Sequence, residues 1–119
     1  MAPPPYGEFL ATIEQTLASF KDKGELSKPE LQRIHGELLE RAADEQGAAE
    51  AFARSLELAD QQSALSWRLR TSTSLARLRN RQGRRQEARE ALAQTYARFS
   101  EGFDTVDLVA AKRVLADIG

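Results

Sequence analysis

Apolar side chains recur at intervals of three and four residues along most of the chain, and this spacing places them on one face of an α-helix. Short polar segments interrupt the pattern, so it predicts about six helices joined by connections of about two to six residues. Connections this short hold consecutive helices antiparallel, as hairpins. The apolar positions of the predicted helices are, in chain order, Phe9, Leu10, Ile13, Leu17 and Phe20; Leu31, Ile34, Leu38, Leu39 and Ala42; Ala48, Ala51, Phe52, Leu56 and Ala59; Leu65, Trp67, Leu69, Leu75, Ala76 and Leu78; Ala88, Ala91, Leu92, Tyr96 and Phe99; and Val106, Val109, Ala110, Val114, Leu115 and Ile118.

The predicted helix ends coincide with residues that favour caps. Ser27 and Glu30 have the spacing of a capping box, in which the Ser hydroxyl accepts a bond from a first-turn amide and the Glu side chain reaches back to the Ser amide. Ser63 is predicted to cap the fourth helix. Gly83 is predicted just past the end of that helix, where a residue in the left-handed conformation closes the last turn.

The composition supports an all-α fold. The chain has 119 residues, of which 41% are apolar and 29% are charged, as is ordinary for one globular domain. Leu, Ala, Glu and Arg are the commonest residues, Gln is also frequent, and all five favour helices. Three consecutive prolines near the start predict an extended segment. The predicted organisation is a flexible N-terminal arm over residues 1–7 and a single helical domain over residues 8–119.

A shift of 40 residues superimposes the two central predicted hairpins. In each hairpin a small residue is followed 12 positions later by Ala and then, four positions further on, by a bulky apolar residue. Small residues let two antiparallel helices cross closely, and the bulky residue fills the space between successive hairpins. This is the internal spacing of tetratricopeptide (TPR) repeats, and it predicts a short, right-handed, TPR-like superhelix of three hairpins. The residues related by the shift are Gly36 and Ala76, Ala48 and Ala88, and Phe52 and Leu92.

Part of the sequence also resembles a known family. The segment SWRLRTSTSLARLRNRQGRRQEAREAL, the later YARFSEGFDTVDLVAAKRVL and the earlier ELQRIHGELLE are similar to the C-terminal tail of large bacterial signalling proteins. Those proteins join a predicted ATPase, often with an adenylate/guanylate cyclase domain, to a TPR array. The resemblance covers roughly residues 8–118, with EGFDT-x-DL as its most specific part. It implies a regulatory or scaffolding tail in bacterial signalling.

The residue inventory argues against catalysis. There is no Cys and a single His, His35, so neither a thiolate site nor a multi-His metal site is expected. The phosphate-binding pattern G-x-x-x-x-G-K-[ST] is absent, and no nucleophile–base pair is recognisable. We therefore expect no enzyme activity, no metal and no cofactor. No secretory signal or membrane-spanning apolar run is visible, so a cytoplasmic location is expected.

An Arg-rich segment supplies the candidate binding site. Residues 68–89 contain eight arginines, and the first helix of each TPR hairpin lines the concave groove. A basic groove would bind an acidic segment or a C-terminal carboxylate of a protein partner through charge-assisted hydrogen bonds. The alternatives are a solvated Arg-rich helix and a nucleic-acid site, and the sequence pI of about 5.9 argues against the latter. The predicted groove residues are Arg33, Glu37, Arg70, Arg77, Asn80 and Arg81.

Self-association is the second predicted contact. The first helix has the character of the second half of a hairpin, so its apolar face, Leu10, Ile13 and Leu17, or the neighbouring face is expected to lie between two copies in a homodimer. The charges are also uneven, since residues 1–60 have 12 acids against 6 bases and residues 61–119 have 6 acids against 11 bases. A purely structural tail that only self-associates is the alternative function.

Three conspicuous side chains are predicted to have structural roles. Trp67 is expected in the core or in an interface, since large aromatic residues contribute most through burial. His35, beside the small residue of the first crossing, is expected to be packed. Phe103 is expected to lie in the core beneath the turn that precedes the last helix.

Overall fold

The computed structural model describes residues 6–19 and 27–119. This part of the chain contains no β-strand and forms six α-helices, so the predicted all-α fold is confirmed. The helices are α1 (Tyr6–Ser19), α2 (Lys28–Arg41), α3 (Glu45–Gln61), α4 (Leu65–Arg81), α5 (Arg85–Tyr96) and α6 (Val106–Ile118).

The first helix differs in extent from its prediction. Helix α1 begins at Tyr6, inside the arm predicted for residues 1–7. The predicted apolar position Phe20 lies outside the described residues. The capping residues Ser27 and Glu30 are described, together with all five later helices.

The helices pack as antiparallel hairpins. Helices α2 and α3 form one hairpin and α4 and α5 form the next, each joined by a three-residue connection. Helix α4 is central, because it packs against α2, α3, α5 and α6. Among the described helices, α1 packs only on α2, and α6 packs only on α4 and α5. The first helices of successive units, α2, α4 and α6, therefore lie side by side.

Three helices end with the same backbone motif at intervals of 20 residues. Ala43, Ser63 and Gly83 have φ of 65°, 54° and 80°, so each adopts the left-handed conformation just past a helix end. In each case the next residue's amide bonds back to a carbonyl five residues earlier, as in Asp44 N to Leu39 O at 2.9 Å. The prediction for Gly83 is confirmed, whereas Ser63 ends α3 instead of capping α4.

The predicted capping box does not form. Ser27 stands at the N-cap position of α2, but its side chain makes no capping bond. Glu30 instead accepts hydrogen bonds from Arg33 and Arg70. Charge-assisted bonds to guanidinium groups are stronger than a bond to a neutral amide, and they determine where the carboxylate lies. A side-chain cap does form at Asp44, which accepts from the Gly47 amide at 2.9 Å.

The hairpin crossings have the predicted small and bulky residues. Ala48 and Phe52 are completely buried, and a Cβ built on Gly36 would stand 2.6 Å from the Phe52 ring. Ala76 and Leu92, which correspond to Gly36 and Phe52 in the next hairpin, lie in the same core cluster. The hairpin with the smaller residue, Gly36, has the larger partner, Phe52, whereas Ala76 is matched with the smaller Leu92. The space at a crossing is fixed, so the two side chains must fill it together.

The central helix contains a layer of buried hydroxyl groups. Thr71, Ser72, Thr73 and Ser74 are consecutive and are all at most 5% exposed, because other helices surround α4. The Ser55 hydroxyl lies 2.7 Å from the Thr71 hydroxyl and donates to the Pro29 carbonyl at 2.6 Å. These bonds satisfy the polar groups that the packing removes from water.

The last helix buries only part of its predicted face, since Val114 and Ile118 are buried as predicted and two other valines are not. Val106 and Val109 are 84% and 43% exposed. The buried residues of α6 include Leu108 and Ala111, since the helix rests between α4 and α5 on that side. Phe103 is also exposed, by 46%, so its predicted place in the core is wrong.

Phe103 packs on a neighbouring ring, and one further apolar position, Ala91, also differs from the prediction. Phe103 makes a tilted ring contact with Tyr96, at 5.7 Å between ring centroids, instead of entering the core. Ala91 is exposed, although it corresponds to the buried Ala51 in the repeat. The last turn of the fifth predicted helix is absent, because α5 ends at Tyr96.

Candidate peptide-binding groove

Helices α2, α4 and α6 line one groove. It consists of two adjoining clefts of about 450 Å³ and 170 Å³, which share Ser74 and Arg77 as lining residues. All of the residues predicted for the groove line one or both clefts, namely Arg33, Glu37, Arg70, Arg77, Asn80 and Arg81.

A chain of ion pairs crosses the smaller cleft. Arg33 donates to Glu37 from Nη1 at 2.6 Å and to Glu30 from Nε at 2.5 Å. Arg70 donates to Glu30 from Nη1 at 2.6 Å and to Asp107 from Nε at 3.1 Å. These five side chains link α2, α4 and α6, so they hold the three helices of the groove together.

The ion pairs shift the pKa values of the residues that form them. Burial raises the pKa of Glu30, but hydrogen bonds and charge from Arg33 and Arg70 outweigh this and lower the pKa from its ordinary value. Burial lowers the pKa of Arg33, yet its bonds to Glu30 and the charge of Glu37 raise it overall. Glu30 therefore remains a carboxylate, and the chain of ion pairs stays intact at neutral pH.

Arg70 makes a further contact with an aromatic ring. Its guanidinium carbon stands 5.4 Å from the centroid of the Trp67 ring, in a cation–π arrangement. The hydrogen bond that Arg70 donates to Glu30 raises the pKa of Arg70, and Asp107 contributes in the same direction. Trp67 is half-buried. With two carboxylates and a ring as neighbours, Arg70 is a structural part of the groove wall.

The larger cleft has cations without intramolecular partners. Arg81 pairs with Glu40 across α4 and α2. Arg41 and Arg77 also line this cleft, are exposed, and form no ion pair or hydrogen bond within residues 6–19 and 27–119. Asn80 lies on the same wall and offers an amide that both donates and accepts. The larger cleft is therefore the part of the groove with unused cationic donors.

Helix α6 contributes groove residues that the sequence reading missed. Val114 and Asp117 line the larger cleft, and Ala110 lines the smaller one. The 40-residue shift relates Ala110 to Arg70 and Asp117 to Arg77. Extending the repeat by one unit would therefore have identified both positions. Asp107, which holds Arg70, has no such signal, because its role depends on the side chain opposite.

The charges of the groove cancel overall. Together with Glu30, the lining residues supply five carboxylates and five guanidinium groups. The groove as a whole is therefore zwitterionic, not basic as had been predicted. In the part of the chain that the structure describes, its unpaired positive charge is confined to two guanidinium groups, those of Arg41 and Arg77. Within the described residues, no group of three or more His, Asp or Glu side chains has the arrangement of a metal site.

The single histidine lies on the side of α2 that meets α1. His35 Nε2 is 3.1 Å from a Glu14 carboxylate oxygen, and the ring is 7% exposed. Its Nδ1 is buried and has no hydrogen-bond partner. The contact joins α1 to α2, in agreement with the packed role predicted for His35.

The predicted self-association face is partly covered within one chain. Leu10 is only 7% exposed, because α1 packs on α2, so it is not available to a second copy. Ile13 and Leu17 are half-buried. Phe9, which was not among the predicted face residues, is 51% exposed. The exposed apolar surface of α1 therefore centres on Phe9.

Comparisons of the chain with protein-family models, with curated proteins and with solved structures found no match. The resemblance to the tails of bacterial signalling proteins accordingly stays a prediction. Of the described helices, none combines the length and apolar character that a membrane span requires. The geometry of the groove is thus the basis on which a function can be argued.

Proposed function

We propose that this protein is a non-catalytic interaction module whose groove binds an extended, acidic segment of a partner protein. The observation that carries this proposal is the pair of unpaired guanidinium groups, Arg41 and Arg77, on the walls of the larger cleft. A carboxylate placed there would form charge-assisted hydrogen bonds without breaking any existing ion pair.

The distribution of ion pairs assigns different tasks to the arginines. Arg33, Arg70 and Arg81 are held by carboxylates of the same chain and shape the groove. Arg77 and Arg41 lie on α4 and α2, so a ligand between them would contact two successive hairpins. Specificity then arises from the position of one or two acidic groups along the ligand.

The size of the cleft is compatible with a short stretch of a peptide. A volume of about 450 Å³ lies within the range of small-ligand sites, which is roughly 300–1,000 Å³. A backbone amide of an extended segment could pair with the Asn80 side chain, which both donates and accepts.

Charge balance argues against nucleic acid as the ligand. A phosphate backbone requires a continuous cationic track, whereas four carboxylates line this groove beside its five arginines and a fifth, Glu30, pairs with Arg70. A gel shift with single- and double-stranded DNA at near-physiological salt should show no complex. A complex that weakens steeply with added salt would support nucleic-acid binding instead.

The cellular setting rests on the resemblance alone. If it holds, the module acts as a scaffold or regulator in bacterial signalling, in the cytoplasm. The groove proposal does not depend on this setting, because it follows from the side chains of α2 and α4.

An array of short peptides, with Glu or Ala at each position and a free C-terminal carboxylate, would test the groove. The wild-type protein should retain peptides with acidic residues, and Arg77→Glu should lose them because it places a carboxylate in the cleft. Arg98→Glu is the matched control, since Arg98 is exposed outside the groove and forms no ion pair within the described residues. Equal retention by wild type and Arg77→Glu, with unchanged helicity, would rule out this groove as the binding site.

A further inference from the structure

Exposed apolar side chains lie at both ends of the stack. The α1 end face consists of Phe9, Ile13 and Leu17, which follow one another at intervals of four on α1; Phe9 is 51% exposed. The α6 end face consists of Phe103, Val106 and Val109, which are 46%, 84% and 43% exposed. Four of these six residues are the large apolar side chains that are exposed in the described part of the chain. The other two, Ile13 and Leu17, are half-buried.

The two faces lie on parts of the stack that do not contact each other. Helix α1 packs only on α2, and α6 packs only on α4 and α5, within the described part of the chain. A single copy therefore cannot bring its own two faces together. A contact between them requires a second copy.

Opposite charges lie on the two helices near their exposed apolar residues, although Glu101 and Asp104 lie next to Phe103. Helix α1 contains Glu8 and Glu14 and no Lys or Arg. Helix α6 has Lys112 and Arg113, both exposed, three and four positions after Val109, so they border the α6 end face. The excess of acids in residues 1–60 and of bases in residues 61–119 extends this complementarity over both halves of the chain.

The packing inside the chain supplies a geometry for such a contact. Helices α2 and α4 each pair with a second helix, α3 and α5, whereas α6 has no such companion among the described helices. A shift of 40 residues moves α1 onto residues 46–59, which lie within α3. Helix α1 of one copy placed beside α6 of another would therefore repeat the pairing of α3 with α2.

We propose that copies of this chain associate head to tail, with the α1 end face of one copy packed on the α6 end face of the next. Each added copy continues the stack of hairpins and leaves the groove of α2, α4 and α6 open. Such a contact joins two different surfaces, so it does not close at two copies unless the rotation forms a ring. It replaces the symmetric homodimer expected from the sequence with an open series.

Two blocked variants distinguish this arrangement from a symmetric dimer. Val106→Asp adds a negative charge to the α6 end face, opposite the acidic α1 of the next copy. Phe9→Lys adds a positive charge to the α1 end face, opposite Lys112 and Arg113. Both residues are exposed, so the fold should persist, and circular dichroism would verify this. Each variant retains one intact face.

Light scattering coupled to size exclusion, over a series from micromolar to millimolar concentration, gives the decisive masses. We expect the wild-type mass to rise beyond twice the 13.2 kDa of one chain as the concentration increases. Each blocked variant should remain a monomer. An equimolar mixture of the two should form a one-to-one complex, because one supplies the intact α1 end face and the other the intact α6 end face.

Three results would overturn the proposal. A wild-type chain that remains at 13.2 kDa throughout the series has no such contact. A Val106→Asp variant that still dimerises uses a symmetric α1 contact, and a mixture that stays monomeric shows that the two faces do not meet. If Val106→Asp does not fold, the double variant Lys112→Glu/Arg113→Glu blocks the same face without changing an apolar residue. The groove residues are untouched, so peptide binding can succeed or fail independently.

Discussion

At the residue scale, the first hairpin depends on the absence of a single methyl group. Helix propensity alone would favour Ala over Gly at position 36 by roughly 1 kcal/mol. The Phe52 ring lies where that methyl group would go, and the ring is completely buried. The second hairpin has Ala76 with the smaller Leu92, so the two crossings solve the same packing problem with different pairs.

Gly36→Ala should therefore destabilise the protein, by about 1–3 kcal/mol, because the clash outweighs the propensity gain. Thermal or urea unfolding measures the change. Adding Phe52→Leu to Gly36→Ala recreates the combination seen at Ala76 and Leu92. The double variant should therefore lose less free energy of unfolding than the two single variants lose in total. Strict additivity of the two substitutions would show that the contact does not limit the crossing.

Two residues in the left-handed conformation should stabilise the protein when they are replaced by Gly. Ala43 and Ser63 have φ of 65° and 54°, which Gly adopts without the penalty that a Cβ incurs. Ala43→Gly and Ser63→Gly should each raise the free energy of unfolding by about 0.5–1 kcal/mol. Ala53→Gly, at an exposed site inside α3, is the control and should lower it by a similar amount. A loss of stability in all three variants would contradict the helix-end geometry.

Of the described residues in the left-handed conformation, only Gly83 was correctly predicted from the sequence. Gly83 was identifiable because Gly is the usual residue at a left-handed helix end. Ser63 favours helix starts and was misassigned, since three-residue connections place one helix's end next to another's start. The regular interval of 20 residues between Ala43, Ser63 and Gly83 is the signal that would have corrected it.

At the element scale, the groove helices are joined by charges whose effect depends on pH. Hydrogen bonds and charge from Arg33 and Arg70 hold the pKa of Glu30 below its unfolded value, despite burial. A carboxyl group with a depressed folded pKa adds stability above its unfolded pKa, and this stability disappears as pH falls through the folded pKa. The contribution is thus complete near neutrality.

Glu30→Gln should remove this part of the acid sensitivity. As the pH is lowered from neutrality to about pH 3, the melting temperature of the wild type should fall more steeply than that of Glu30→Gln. The difference in slope should begin where the pH falls below the ordinary Glu pKa of about 4.3. At neutral pH the variant should be less stable, because Arg33 and Arg70 lose a shared carboxylate. Glu57→Gln changes an exposed Glu that has no ion pair among the described residues and serves as the control. Parallel curves for wild type and Glu30→Gln would show that the ion pairs do not affect stability.

The faces of the helices were harder to predict than their existence. In α6, both faces contain aliphatic residues, so periodicity alone does not distinguish Val106 and Val109 from Leu108 and Ala111. The face was decided by contact with α4 and α5. The buried hydroxyl layer of α4 was likewise hidden, because a run of Thr and Ser has no apolar period and is buried only where a helix is surrounded.

At the scale of the whole molecule, repetition determines where the groove forms. The 40-residue shift was visible in the sequence and placed Glu37, Arg77 and Asp117 at equivalent positions. Stacking brings them to one cleft, since α2, α4 and α6 lie side by side. Which guanidinium groups are free could not be read from the sequence, because pairs such as Arg70 with Asp107 depend on side-chain geometry between helices.

The affinity of the cleft for an acidic ligand tests the central claim most directly. The measurement is the dissociation constant of fluorescently labelled tetraglutamate with a free C-terminal carboxylate, for wild type, Arg77→Glu and Arg98→Glu. A charge-assisted hydrogen bond is worth about 1.5–3 kcal/mol, so Arg77→Glu should weaken binding by at least about tenfold, while Arg98→Glu should change it little. Equal weakening by both variants, or none by Arg77→Glu, would contradict binding in the groove.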